Sequence, residues 1–255
     1  MAKEKVTYND GSTYEGEFLD GKRHGFGIYT WSNGERYEGE FLHGARTGKG
    51  KYNWTGGASY DGDFVDGKLH GKGKYTWASG SVYVGDFVEN LRTGKGKLAW
   101  ENGDVYDGDF IDGVRTGKGK YVWSNGNVYM GDFVDDKKSG NGTFIWTDGT
   151  VYDGDYRDDK MHGKGKLTWS SGDVYEGDFT DGARTGKGRF VWTDGTVYEG
   201  EFIDGQMQGW GKEKWKNGAL YKGEFDNGQF KNGILYDGKG GILAIYRDGV
   251  KEEQE

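Results

Sequence analysis

His24, His70 and His162 stand in matching surroundings, each just ahead of a Gly-x-Gly pair. Histidine is the commonest metal ligand and the usual proton carrier near neutral pH. A zinc site, however, needs its ligands about 2 Å from one ion. The nearest two of these histidines should lie roughly 20 Å apart in a run of antiparallel strands. They read as polar side chains in equivalent slots, and His43 reads the same way beside a turn glycine. Paired carboxylates such as Glu15/Glu17 and Asp107/Asp109 have the spacing of acid–base pairs. A glycosidase needs one carboxyl set apart by an environment that raises its pKa. Here the same pair recurs beside lysines along the whole chain, so a solvated charged face outweighs chemistry. The lysine pairs Lys49/Lys51, Lys72/Lys74, Lys95/Lys97, Lys118/Lys120 and Lys164/Lys166 could meet anionic lipid heads. Acidic strands interleave with them, and the Gly-Lys-Gly-Lys run lacks the strand–helix context of a phosphate loop. There is no cysteine for thiolate chemistry. No enzyme activity, metal or cofactor is expected.

These residues are positioned by a strict repeat. Tyr14, Tyr37, Tyr60, Tyr83, Tyr106, Tyr129, Tyr152, Tyr175, Tyr198 and Tyr221 are each 23 residues apart, without insertion or deletion. A fixed period of this length marks a stack of one supersecondary unit. Of the 51 glycines, 44 recur at five fixed places within it, unlike those of a disordered linker. The 10 Trp, 18 Tyr and 13 Phe also exclude disorder. Proline, which cannot donate to a ladder, is absent. A formal charge of −8 argues against nucleic-acid binding.

In the third unit, Tyr60-Asp-Gly-Asp-Phe64 and Leu69-His-Gly-Lys-Gly-Lys-Tyr-Thr-Trp77 alternate with period 2 around Asp66-Gly67. That pattern is a hairpin with a two-residue turn. Tyr60, Gly62 and Phe64 share a face with Gly71, Gly73, Tyr75 and Trp77, and the charged residues take the other face. A continuous register would set Gly62 opposite Gly71, Tyr60 opposite Gly73 and Asp61 opposite Lys72. The glycines leave room for rings to lie flat on the backbone. An odd period demands an odd loop or a bulge in every repeat, or the next tyrosine would flip outward. A three-residue loop ending at Gly80 meets that need. The fold class is therefore all-β: an elongated, twisted, single-layer antiparallel sheet of stacked β-hairpins. Residues 1–13 supply an N-terminal cap strand, 14–225 a ten-unit array, and 226–255 C-terminal cap strands with a frayed tail from Lys251.

The recurring Tyr-Glu-Gly-Glu-Phe followed by Asp-Gly-Lys and His-Gly-Lys-Gly closely resembles the MORN repeat (membrane occupation and recognition nexus). The match is clearest at Tyr14–Gly27, Tyr60–Gly73 and Tyr152–Gly165. The histidine slot elsewhere holds Thr47, Thr93, Thr116, Ser139, Thr185 or Gln208, and Asn90, Asp136 and Asp159 replace the turn glycine. The resemblance implies an extended sheet groove and a non-catalytic role, as a scaffold or as a module tying partners or membranes together.

The residues expected to bind are aromatic. A single layer leaves rings uncovered, and uncovered apolar surface marks interaction sites. The candidates are Tyr29, Trp31, Tyr52, Trp54, Tyr75, Trp77, Trp100, Tyr121, Trp123, Trp146, Trp169 and Trp192 on the aromatic face. Phe26 and Trp210 join them where other repeats carry lysine, and they should point to the charged face. Val84 and Met130 replace first-strand carboxylates on that same face. The leading expectation is a protein-binding or self-associating scaffold acting through its aromatic groove and open ends, with a protein partner or a homodimer. A module for membrane surfaces rich in acidic phospholipid is the alternative, opposed by the net charge. A glycan- or choline-binding wall module is the second, opposed by the lack of a cage in each repeat. With no leader or apolar span in the sequence, a cytoplasmic or membrane-peripheral location is expected.

Overall fold

A computed structural model describes residues 3–252, and these described residues form 23 strands and no helix. It divides into two units, residues 3–124 with 134–136 and residues 125–133 with 137–252. Each unit is an antiparallel sheet of successive hairpins.

The first unit opens with Lys3–Thr7, which pairs with Thr13–Leu19 and sets Val6 opposite Tyr14. Its third repeat shows how the tile is built. Ser59–Val65 turns into Lys68–Thr76 through Asp66 and Gly67, with φ of 48° and 81°. Two successive positive φ values are the twist-matched turn of a two-residue hairpin, which Asp and Gly tolerate best. Between repeats, the Trp77 amide donates to the Ser81 carbonyl at 2.9 Å, and Gly80 takes φ 97°. That is the three-residue loop that the odd period requires.

The register differs from the continuous one expected. Gly62 faces Gly73, Tyr60 faces Tyr75 and Asp61 faces Lys74, because the ladder shifts between Gly62 and Asp63. Gly71 leaves the aromatic face and takes φ 55°. The cause is the Asp63 carboxylate, whose Oδ2 accepts the Lys72 amide at 2.9 Å. A side chain that caps a bulge amide satisfies a donor that the ladder has dropped. The same bond recurs from Lys49 to Glu40 and from Lys118 to Asp109, both at 3.0 Å.

The core is one layer deep. Tyr60 is fully buried, with its ring over Gly62 and Gly73, and its hydroxyl donates to the Asp63 carbonyl at 3.0 Å. Phe64 and Phe87 meet that ring edge-on at 5.1 and 5.2 Å, the preferred aromatic arrangement.

The second unit repeats the tile. Tyr152 is fully buried, donates to the Asp155 carbonyl at 2.9 Å, and meets Tyr156 and Phe179 edge-on. Its hairpin from Tyr221 joins Leu220–Asp226 to Gln229–Tyr236 around a glycine pair, Gly223 opposite Gly233. Phe230 then stacks flat on Tyr221 at 3.9 Å and closes the row. Ile242–Arg247 and Val250–Glu252 complete the sheet. The tail expected to fray is thus paired as far as Glu252, and its remainder lies outside the described residues.

Candidate functional site

Two rows of rings occupy the aromatic face. The inner row, Tyr60 and its equivalents, is sealed. The outer row holds most of the residues expected to bind. In the first unit Tyr29, Trp31, Tyr52, Trp54, Tyr75 and Trp77 follow one another at centroid spacings of 4.4–5.4 Å. Trp100, Tyr121 and Trp123 continue beyond the non-aromatic Leu98. In the second unit Trp146 packs on Phe144, while Trp169 and Trp192 flank Phe190. Tyr29 and Tyr52 are buried, Tyr75 and Tyr121 half-buried, and the indoles half-buried at the starts of the loops. The row therefore packs largely on itself and offers indole edges.

A cation row lies among these rings. Arg46 sits 4.9 Å from the Tyr52 centroid and 5.7 Å from those of Trp31 and Phe64, and its Nη2 donates to the Gly67 carbonyl at 2.7 Å. Arg23, Arg92, Arg115 and Arg184 make the same reach to the next turn, and Lys138 takes the slot near Phe144. Burial holds the Arg46, Arg92 and Arg184 guanidiniums below their ordinary range. Sequence reasoning missed this row, although its period of 23 was there to be read. Burial and the hydrogen bond to Glu35 push the Tyr52 hydroxyl up to about 12.

The opposite face is charged and concave in each unit. Lysines pair with carboxylates of the following repeat: Lys49 with Asp63, Lys72 with Asp86 and Lys95 with Asp109, each at 2.5 Å. At Asp63 burial works to raise the carboxyl. The hydrogen bonds from Lys49 and the Lys72 amide outweigh it and hold the group below the ordinary carboxylate range. In the second unit a groove of about 900 Å³ runs over Gly165, Gly177, Gly188 and Gly200, between alternating acids and bases, and ends at Trp210. Trp210 is 65 % exposed, and Phe26 is 47 % exposed in the first unit. Val84 and Met130 are exposed as well.

The histidines stay apart. The Nδ1 atoms of His24, His70 and His162 are buried without a hydrogen-bond partner, and the ring of His24 lies edge-on to that of His43 at 5.4 Å. Among the described residues no group of three or more His, Cys, Asp or Glu could hold a metal ion. No helix among the described residues is long and apolar enough to cross a membrane.

Glu213 breaks the outer row. It takes the slot of Tyr52 and Tyr75, opposite Tyr198 and Tyr221. Burial, then the nearby Asp194, raises its carboxyl above the usual range. The folded chain therefore holds that proton more tightly than the unfolded one, and Glu213 lowers stability as pH rises above the ordinary carboxylate value. Glu213→Gln should raise the melting temperature by about 2 °C at pH 7. The gain should fade as pH falls towards 4.5, the ordinary value for Glu. A gain that is the same at both pH values would contradict this.

A family model described as MORN repeat matches nine consecutive segments, from 14–36 through 198–220. The tenth hairpin, from Tyr221, lies beyond the match. No curated protein matches the chain in sequence. Among solved structures, the TCP10 domain of Danio rerio CPAP in complex with a peptide of Danio rerio STIL is 15 % identical. That alignment covers 96 % of this chain and 99 % of that one, with a TM-score of 0.46. The TCP domain of Drosophila melanogaster SAS-4, in complex with a proline-rich motif of Ana2, is 14 % identical over 68 % of this chain and 86 % of that one, with a TM-score of 0.38. Both likenesses are slight.

Proposed function

The chain belongs to the MORN repeat family, and from that premise we propose that it is a non-catalytic scaffold that docks a protein partner or a second copy of itself. The observation that carries this reading is Trp210. A large indole stands 65 % exposed at the end of a groove whose walls alternate Lys and Glu. Exposed tryptophans are preferred interface anchors. Mixed charge fixes the orientation of a partner more than it adds affinity. Phe26 serves the same purpose in the first unit, and the half-buried indole edges offer a flatter contact within each unit, from Trp31 to Trp123 in the first and from Trp146 to Trp192 in the second. The acidic residues are absorbed by structure, as bulge caps and lysine partners, and this supports a binding role over catalysis. The same pairing takes up Lys49, Lys72, Lys95 and Lys164 from the lysine pairs that a lipid surface would need, and this favours protein over membrane.

Light scattering and affinity capture test this. The expected result is a dimer or a stoichiometric protein complex, weakened at least about tenfold by Trp210→Lys, which restores the residue of Lys164 and Lys187. A strict monomer at high concentration that retains no partner would overturn the proposal. So would a complex indifferent to Trp210.

A further inference from the structure

The cation row of the first unit has one gap. Arg23, Arg46, Arg92 and Arg115 stand at intervals set by the repeat, and Leu69 takes the place between Arg46 and Arg92. What a guanidinium meets in this slot is shown by Arg46: the face of Tyr52, the ring of Phe64 and the Gly67 carbonyl. The equivalents around Leu69 are Tyr75, Phe87 and Asn90. All three line an open depression of about 400 Å³ above Leu69. No cation is recorded over Tyr75 among the described residues, and Tyr75 is half-buried. Asp112 stands exposed on the rim, with no ion pair among the described residues.

We propose that this depression is a socket for an arginine side chain of a partner polypeptide, which completes in trans the row that the chain builds for itself in cis. Three features select arginine. A planar cation gains from a stacked ring face, and more so where water is thinned out. The turn carbonyl that accepts Nη2 in the neighbouring repeats has its counterpart at Asn90. Asp112 supplies the countercharge at the mouth. Arg92 also borders the depression, yet its own guanidinium is held by the Gly113 carbonyl at 2.8 Å. Arg23 beside Arg46, and Arg92 beside Arg115, show that the face accepts cations in adjacent slots. Asn90 is itself fixed, since its Oδ1 accepts the Leu69 amide at 2.9 Å, so the floor of the socket is preformed.

The inference rests on the scaffold reading above and names the chemistry of its partner. The test uses the full chain and a blocked Gly/Ser pentapeptide with one central arginine, read at the indole N–H signal of Trp77. The expected result is a saturable shift, with the isosteric citrulline peptide bound at least about tenfold more weakly. Leu69→Arg should fill the socket and abolish the shift while keeping the native circular dichroism and melting temperature. Asp112→Asn, a rim change that suits the turn, should weaken the peptide about threefold. Equal binding of citrulline, a shift that persists in Leu69→Arg, or no shift with arginine would each overturn the assignment. If the socket fails while a protein partner is still retained through Trp210, the scaffold reading stands and only the arginine is lost. If no partner is retained at all, both fall.

Discussion

Gly62→Ala is expected to destabilise the first unit by about 3–5 kcal/mol, the range of losing a buried aromatic side chain. An added Cβ would stand 2.5 Å from Gly73 Cα, 2.5 Å from the Tyr60 hydroxyl oxygen and 2.6 Å from the Lys72 carbonyl. Two of those three atoms are backbone, and no rotamer change can move them. Either the strands part or Tyr60 leaves its place, losing its edge contacts with Phe64 and Phe87 and its bond to the Asp63 carbonyl. Overpacking alone costs about 1–3 kcal/mol, and the expelled ring accounts for the rest. Gly56→Ala is the control, for nothing lies within 4 Å of a Cβ there, and its effect should stay within about 0.5 kcal/mol. Urea unfolding of the two variants, followed by tryptophan fluorescence, gives the comparison. Equal midpoints would mean that the ring does not lie on the glycine pair.

The period, the Asp66-Gly67 turn and the three-residue loop were legible because each is a local property of a few residues. That glycines make room for rings was legible, because a ring lying on a strand needs a partner without a side chain, but the pairing of Gly62 with Gly73 beneath Tyr60 was not. The register of Tyr60, Asp61 and Gly62, on the far side of the bulge from the turn, was not legible either. It depends on whether the Asp63 carboxylate turns back to the Lys72 amide, and alternation of residue types is silent about where a side chain bends. The binding surface was legible only in part. Counting aromatics placed the groove among the tryptophans, but the indoles and their neighbouring rings largely fill their own space, and the groove of about 900 Å³ in the second unit lies on the glycine-floored charged face. Phe26 and Trp210 stood out beforehand because they break a repeated lysine. Arg46 and its equivalents did not, because a strand arginine reads as solvent-exposed until the rings beside it are placed.

Arg46 yields the second large effect. Arg46→Ala should cost about 2–4 kcal/mol, measured as above. A charge-assisted hydrogen bond contributes about 1.5–3 kcal/mol, and a desolvated cation–ring contact about 2 kcal/mol. The two share one guanidinium and do not add in full. The arginine stem also covers ring surface, so the loss includes packing as well as charge. Natural variation within the chain separates these parts. Met161 and Met207 occupy the same slot in the second unit, so a long apolar side chain is compatible with the tile. Arg46→Met should therefore cost about 1 kcal/mol less than alanine, because it restores the packing while the charge-assisted bond and the ring–cation contact stay lost. Neither difference should shrink with added salt, because the guanidinium lies among rings and not in the Debye atmosphere that screens exposed pairs. If methionine proves as harmful as alanine, the slot demands a cation and not merely bulk. Leu69 would then be a deficiency that only an external guanidinium can repair, whereas a mild methionine leaves the unit stable with its socket empty.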